Sequence, residues 1–93
     1  MDPAPAALPD LVLWRSDGCH LCDETAALVE QLLAQRSAAG RVVPPLVVRR
    51  IAEDPAAERA LFDQVPVLEV AGRRLMLATR LGPIRGFLDE AYG

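Results

Sequence analysis

Two cysteines carry the most specific chemistry in this chain, and both lie in the tetrapeptide Cys19-His20-Leu21-Cys22. A disulfide across two intervening residues closes almost no loop, so it adds little chain-entropy stabilisation. Its purpose is therefore chemical rather than architectural. The pair follows a short apolar run and the turn residues Ser16-Asp17-Gly18, and it opens a long amphipathic segment. That places it at the leading end of a helix, where unsatisfied N–H groups and the positive end of the dipole favour a thiolate. Only the thiolate is nucleophilic. Cys19, at the tip, is the residue to attack a disulfide; Cys22, one turn inward on the apolar stripe, is placed to attack Cys19 in turn and release the product. Three-residue spacing puts both on one helix face, so the second step is intramolecular.

Val65-Pro66 is the second element of the site. It precedes a strand, and a proline at a strand's first residue is where a cis bond is tolerated. With that bond cis, Val65 presents an unpaired N–H and C=O to an extended substrate backbone beside the cysteines. Trp14 is expected to pack near the site, with substrate contact as the weaker alternative. His20 is either a proton shuttle, a cation beside Cys19, or an exposed helix-tip residue, mostly neutral at pH 7. Asp17, Asp23 and Glu24 crowd the same tip. Their charges oppose a thiolate, against about 0.3–1 kcal/mol from an exposed helix end. The expectation is a Cys19 thiol only modestly more acidic than a free one, in a reducing pair.

The elements that position these residues read in order. Met1 to Pro9 is a proline-punctuated, flexible lead-in, and residues 10–93 form one domain. Asp10 to Arg15 is a strand covered on both faces. A helix runs from about Cys19 to Arg36, capped by Ser16 or Asp17. Its stripe is Cys22, Ala26, Val29 and Leu33, widened by Leu21, Leu28 and Leu32, and Gly40 stops it. Leu46 to Ile51 is an outer strand, spoiled as a central one by Arg49-Arg50. Pro55 to about Phe62 is a short helix. Val67–Val70 and Arg74–Leu77 form a hairpin about Ala71-Gly72-Arg73. A last helix starts at Gly82-Pro83, with Ile84, Phe87, Leu88 and Ala91 inward; Met76 and Phe87 are assigned to the core. Arg49-Arg50 and Arg73-Arg74 read as solvated faces, with steering of an acidic partner or of glutathione carboxylates as the alternative. The order β-α-β-α-β-β-α implies an α/β fold: one four-stranded mixed sheet flanked by helices.

Composition bounds the function. The 93 residues are 52% hydrophobic and 25% charged, which excludes a disordered tail, a collagen-like repeat and a cysteine-stapled mini-protein. Net charge is −3, and the ten basic residues are all arginine with no basic block, so nucleic acid is not the expected partner. The apolar runs fall short of the about 18 residues that span a membrane. Met1 to Asp10 lacks the basic start and unbroken apolar run of a signal peptide. A cytoplasmic protein, with its cysteines mostly reduced, is expected.

The segment Trp14-Arg15-Ser16-Asp17-Gly18-Cys19-His20-Leu21-Cys22 resembles the active-site segment of the glutaredoxin-like branch of the thioredoxin superfamily. Val65-Pro66-Val67-Leu68 resembles that family's cis-proline segment, and the likeness covers about Leu11 to Tyr92. The resemblance implies a thioredoxin fold and thiol-disulfide exchange, with Cys19 as nucleophile, Cys22 as resolver and an aromatic residue at Trp14. The residues expected to contact substrate are Val65, Pro66, Trp14 and His20. Where glutathione-using members carry a glycine pair and an acidic residue, this chain has Gly82-Pro83-Ile84-Arg85; His20-Leu21 replaces their tyrosine, and the Trp-Cys-Gly-Pro-Cys of thioredoxin itself is absent. The expected protein is a monomer with no bound cofactor and no metal. It reduces protein or small-molecule disulfides and is recycled by glutathione or a reductase. Two other classes compete. One is a non-catalytic adaptor that keeps the fold. The other is a dimer bridged by a metal or iron–sulfur cluster, which needs ligands beyond the Cys-x-x-Cys half-site.

Overall fold

The run Leu11-Val12-Leu13-Trp14 has nothing polar to turn toward water on either side, and it becomes the inside of the sheet. In a computed structural model, which describes residues 8–93, β1 (Leu11–Arg15) lies between a parallel neighbour, β2 (Leu46–Arg50), and an antiparallel one, β3 (Val67–Val70). Adding β4 (Arg73–Leu75) beyond β3 gives the order β2-β1-β3-β4. Residues 1–7 of the expected lead-in fall outside the described residues. The remaining elements are α1 (His20–Ala38), one 3₁₀ turn (Ile51–Glu53), α2 (Pro55–Leu61) and α3 (Leu81–Tyr92). This is the expected α/β arrangement, a small thioredoxin-like fold.

Alternate residues of a strand face opposite ways, and here they feed two cores. Leu11, Leu13, Leu68 and Val70 pack with Val29, Leu32 and Leu33 of α1 and with Ile84, Phe87 and Leu88 of α3. Trp14 and Val67 pack on the other face with Ile51, Ala57 and Leu61, and Val12 and Val65 lean against them. Ile51, expected as the last residue of the second strand, instead opens the 3₁₀ turn and drives its side chain into the Trp14 cluster. Asp54 caps α2 by accepting from Ala56 and Ala57, and Pro55 occupies its first position.

Several expectations are corrected. Neither Ser16 nor Asp17 caps α1: Cys19 does, and Asp17 is occupied by an arginine. Leu21 is half exposed because it sits at the helix tip, on the margin of the buried stripe. That stripe takes in two polar residues, Thr25 and Arg36; Arg36 donates to Asp89 (3.0 Å) and to the Gly93 carbonyl (2.7 Å), tying α1 to α3. The hairpin turn has two residues, since Val70 pairs with Arg73. Ala71 (φ 49°) and Gly72 (φ 83°) both take the left-handed conformation that matches sheet twist. β4 therefore ends at Leu75. Beyond it the Leu77 N–H donates to the Gln64 carbonyl, which pulls the chain back and turns Met76, expected in the core, out to 41% exposure. Gly40 (φ 82°) stops α1, with the Arg41 N–H returning to the Arg36 carbonyl at 3.1 Å.

Leu68 is fully buried at the crossing of β1, β3 and β4. Leu68→Ala should lower unfolding free energy by about 2–5 kcal/mol in urea titration, the range for a buried leucine whose cavity cannot collapse. The Tyr92 hydroxyl donates to the Pro9 carbonyl at 2.8 Å. Burial, then the charge of Asp10, push its ionisation up to about 12, partly opposed by Arg36. A phenol whose ionisation is raised by folding stabilises fully below its unfolded value near 10. That contribution should fade as pH rises from about 10 through about 12. Thermal melts should show the alkaline decline in wild type and lose this component in Tyr92→Phe.

Candidate functional site

β1 ends at Arg15 and releases a tight turn, Ser16-Asp17-Gly18, in which Gly18 takes φ 65°. Cys19 follows in extended conformation (φ −94°, ψ 103°) as the N-cap of α1, and its Sγ accepts the Cys22 backbone N–H at 3.1 Å. Sulfur thus satisfies one of the N–H groups that a helix start leaves open. Cys19 and Cys22 are joined as a disulfide with Cα atoms 5.2 Å apart. The two sulfurs differ in access: Cys19 is half-buried, while Cys22 is fully buried on the apolar stripe.

Val65–Pro66 is a cis peptide bond. β3 runs against β1 with Val67 opposite Trp14, so Val65 and Pro66 extend past Trp14 toward the end of the sheet from which the cysteine turn leaves. Pro66 is fully buried; Val65 is half-buried against the Trp14 cluster. The Val65 N–H and C=O have no hydrogen-bond partner among the described residues. Thr25, which the sequence reading missed, connects the parts. It lies one turn beyond Cys22, wholly buried, and its hydroxyl donates to the Ala78 carbonyl, while the Ala78 N–H donates to the Pro66 carbonyl at 2.8 Å. A polar side chain three residues after Cys22, on the apolar stripe, was the signal for it.

Trp14 is buried, and its indole N–H donates to Glu69 at 3.4 Å. The Arg49 guanidinium lies 5.8 Å from its ring centroid. Beside it opens a groove of about 270 Å³ lined by Trp14, Arg49, Arg50, Glu53 and Asp54. His20 is exposed at the start of α1, and its ring makes no hydrogen bond among the described residues.

Arg50 is not merely a solvated residue. Its Nε and Nη2 each donate to Asp17 at 2.7 Å, and Nη1 reaches Glu53 at 2.7 Å. The hydrogen bond from Arg50, more than charge alone, holds the Asp17 carboxyl below the usual carboxylate range, against the opposing effect of burial. The same bond and the Asp17 charge raise the Arg50 guanidinium further. Arg73 and Arg74, the other expected solvated pair, reach Glu90 and Glu69. Arg15, also missed, donates through Nε to the Ser16 carbonyl (3.2 Å), through Nη2 to the Cys19 carbonyl (3.4 Å) and through Nη1 to Asp23 (2.6 Å). No cluster of three or more His, Cys, Asp or Glu suited to a metal ion occurs among the described residues.

No protein-family model and no curated protein matches the chain. Solved structures do. The X-ray structure of protein XcR50 from X. campestris is 34% identical, with 87% of this chain and 97% of that one covered and a TM-score of 0.65. Its solution structure gives 34% identity, 88% and 95% coverage and a TM-score of 0.63. Protein Ne2328 from Nitrosomonas europaea is 26% identical over 94% of this chain and 98% of that one, with a TM-score of 0.68.

Thr25→Val keeps the side-chain shape but leaves the buried Ala78 carbonyl without the hydroxyl. It should cost about 1–3 kcal/mol in urea unfolding, the penalty of an unsatisfied buried acceptor. Thr25→Ser should recover part of that loss.

Proposed function

The chain belongs to the same family as XcR50 of X. campestris, and we propose that it is a glutaredoxin-like thiol-disulfide oxidoreductase working through Cys19 and Cys22. The observation that carries this reading is the unequal pair at the helix tip. Cys19 is reachable and receives the Cys22 N–H on its sulfur; Cys22 is buried and within bonding reach of Cys19. Hydrogen bonding to the charged form favours it, so the same N–H and the helix end support a thiolate at Cys19 after reduction.

The reaction runs in two exchanges. The Cys19 thiolate attacks one sulfur of a substrate disulfide, a Cys19–substrate disulfide forms, and the other substrate sulfur leaves as a thiolate that takes a proton from solvent. Cys22 gives its proton to water and attacks the Cys19 Sγ. The Cys19–Cys22 disulfide re-forms and the second substrate thiol departs. Two electrons pass from the dithiol to the substrate. Return to the dithiol consumes two thiols from glutathione or a dithiol reductase, which leave as a disulfide. The unpaired N–H and C=O of Val65 suit an extended substrate backbone, with Pro66 beneath and Trp14 as the packed support; His20 borders the approach to Cys19.

This reading takes a monomer that needs no bound cofactor, working on protein or small-molecule disulfides in the cytoplasm. No helix among the described residues is long and apolar enough to cross a membrane.

With insulin as substrate and dithiothreitol as reductant, the wild type should accelerate disulfide reduction and Cys19→Ser should return the rate to background. Cys22→Ser should accumulate a mixed disulfide, visible as added mass that dithiothreitol removes. Equal rates for wild type and Cys19→Ser would replace this reading with that of a non-catalytic adaptor.

A further inference from the structure

The proposed reaction needs Cys19 ionised, yet the sequence surrounds it with acids: Asp17 two residues before it, Asp23 and Glu24 just after. Like charges nearby disfavour a thiolate. The fold answers two of the three from the ends of neighbouring strands. Arg15 and Arg50 are register partners at the last positions of β1 and β2. Arg50 holds both Asp17 oxygens at 2.7 Å, and Arg15 holds Asp23 at 2.6 Å.

The two arginines differ in depth. The Arg15 side chain is 22% exposed and that of Arg50 49%, so solvent and salt screen Arg15 less. Arg15 also does more than pair. One planar guanidinium spans the carbonyls of Ser16 and Cys19 and the Asp23 carboxylate, linking both ends of the cysteine turn to the first turn of α1. A lysine ammonium, a point charge without that fork, cannot reproduce all three directions.

We propose that Arg15 is a positioning residue for Cys19: its guanidinium cancels the Asp23 charge and fixes the Ser16–Cys19 turn, so that Cys19 ionises at a lower pH than its acidic neighbours alone would permit. Arg50 acts on Asp17 in the same sense from the exposed side. The inference rests on Cys19 being the nucleophile. The charged and titratable groups around the turn are Arg15 on β1, Asp17 in the turn, His20, Asp23 and Glu24 on α1, Arg50 at the end of β2 and Glu53 in the 3₁₀ turn after it. Asp63 and Arg80 lie on the segments leading to Pro66 and to α3. Glu24 has no ion pair among the described residues.

The test is the pH dependence of iodoacetamide alkylation of Cys19, measured in a Cys22→Ser background so that one thiol reports. Arg15→Gln should raise the midpoint, slowing alkylation at a fixed pH below it by about three- to tenfold, the change in thiolate fraction that half to one pH unit produces. Asp23→Asn should lower the midpoint. The double variant Arg15→Gln, Asp23→Asn should return close to the parent. Should Arg15→Gln fail to fold, as judged by circular dichroism, Arg15→Lys and Arg50→Gln carry the test. Each should raise the midpoint above that of the parent, and the Arg50→Gln shift should shrink in high salt.

An unchanged midpoint in Arg15→Gln, or in both replacement variants, would overturn the inference. So would a double variant as slow as Arg15→Gln alone. Alkylation needs no protein substrate. A normal Arg15 effect with no insulin reduction would sink the oxidoreductase reading alone; active protein with an unmoved midpoint would sink this inference alone.

Discussion

The first helix begins on a sulfur atom. The Cys22 N–H needs an acceptor at the point where α1 has no preceding turn to supply one, and the Cys19 Sγ takes that place at 3.1 Å. Helices ordinarily solve this with a serine, threonine, aspartate or asparagine, and Ser16 and Asp17 are both available a few residues earlier. That the cysteine is used instead fixes where the helix starts, which sulfur stays reachable and which is buried.

The rest of the structure supports that geometry from three sides. Below, β1 is held between two strands and buried on both faces, so the end from which the cysteine turn departs has little freedom. Behind, Thr25 joins α1 to Ala78, and Ala78 joins the Pro66 carbonyl, so the helix and the proline bend are registered through a shared backbone segment. That segment reaches its position because Leu77, at φ 48°, bends the chain back after β4. A non-glycine residue in this region is uncommon, and here it immediately precedes Ala78, which holds Thr25 and Pro66.

Periodicity made the order of elements legible. Leu11 to Trp14, the stripe from Cys22 to Leu33, and Ile84, Phe87 and Leu88 marked β1, α1 and α3, and proline and glycine punctuation placed the elements between them. The edge position of β2 followed from Arg49-Arg50. Most of what stayed hidden depended on partners distant in sequence. Asp17 looked like a helix cap because capping is local; its actual partner, Arg50, lies 33 residues on and becomes adjacent only through the parallel pairing of β1 with β2. Arg15 stayed hidden for a different reason: its partners Ser16, Cys19 and Asp23 are close in sequence, and only the turn into α1 folds them back onto its guanidinium. Met76 looked buried because it lies within the apolar run Leu75-Met76-Leu77 read as a strand, whereas the bond from Leu77 to Gln64 draws the chain away after Leu75. Within the candidate site the cysteines and the proline were readable as types at a spacing. The acids beside them were readable as charges, but their compensation by Arg15 and Arg50 was not.

The two outer strands share a feature with a consequence for crowded solutions. β2 ends in Arg49-Arg50 and β4 opens with Arg73-Arg74, all four exposed. An open sheet border invites another chain to zip onto it through main-chain bonds. A second molecule arriving at either border of this sheet must strip water from two bulky cations and separate the glutamates and aspartate they already hold. Fibril-like stacking is thereby discouraged at both margins, by the residues that also lend the molecule its internal charge balance.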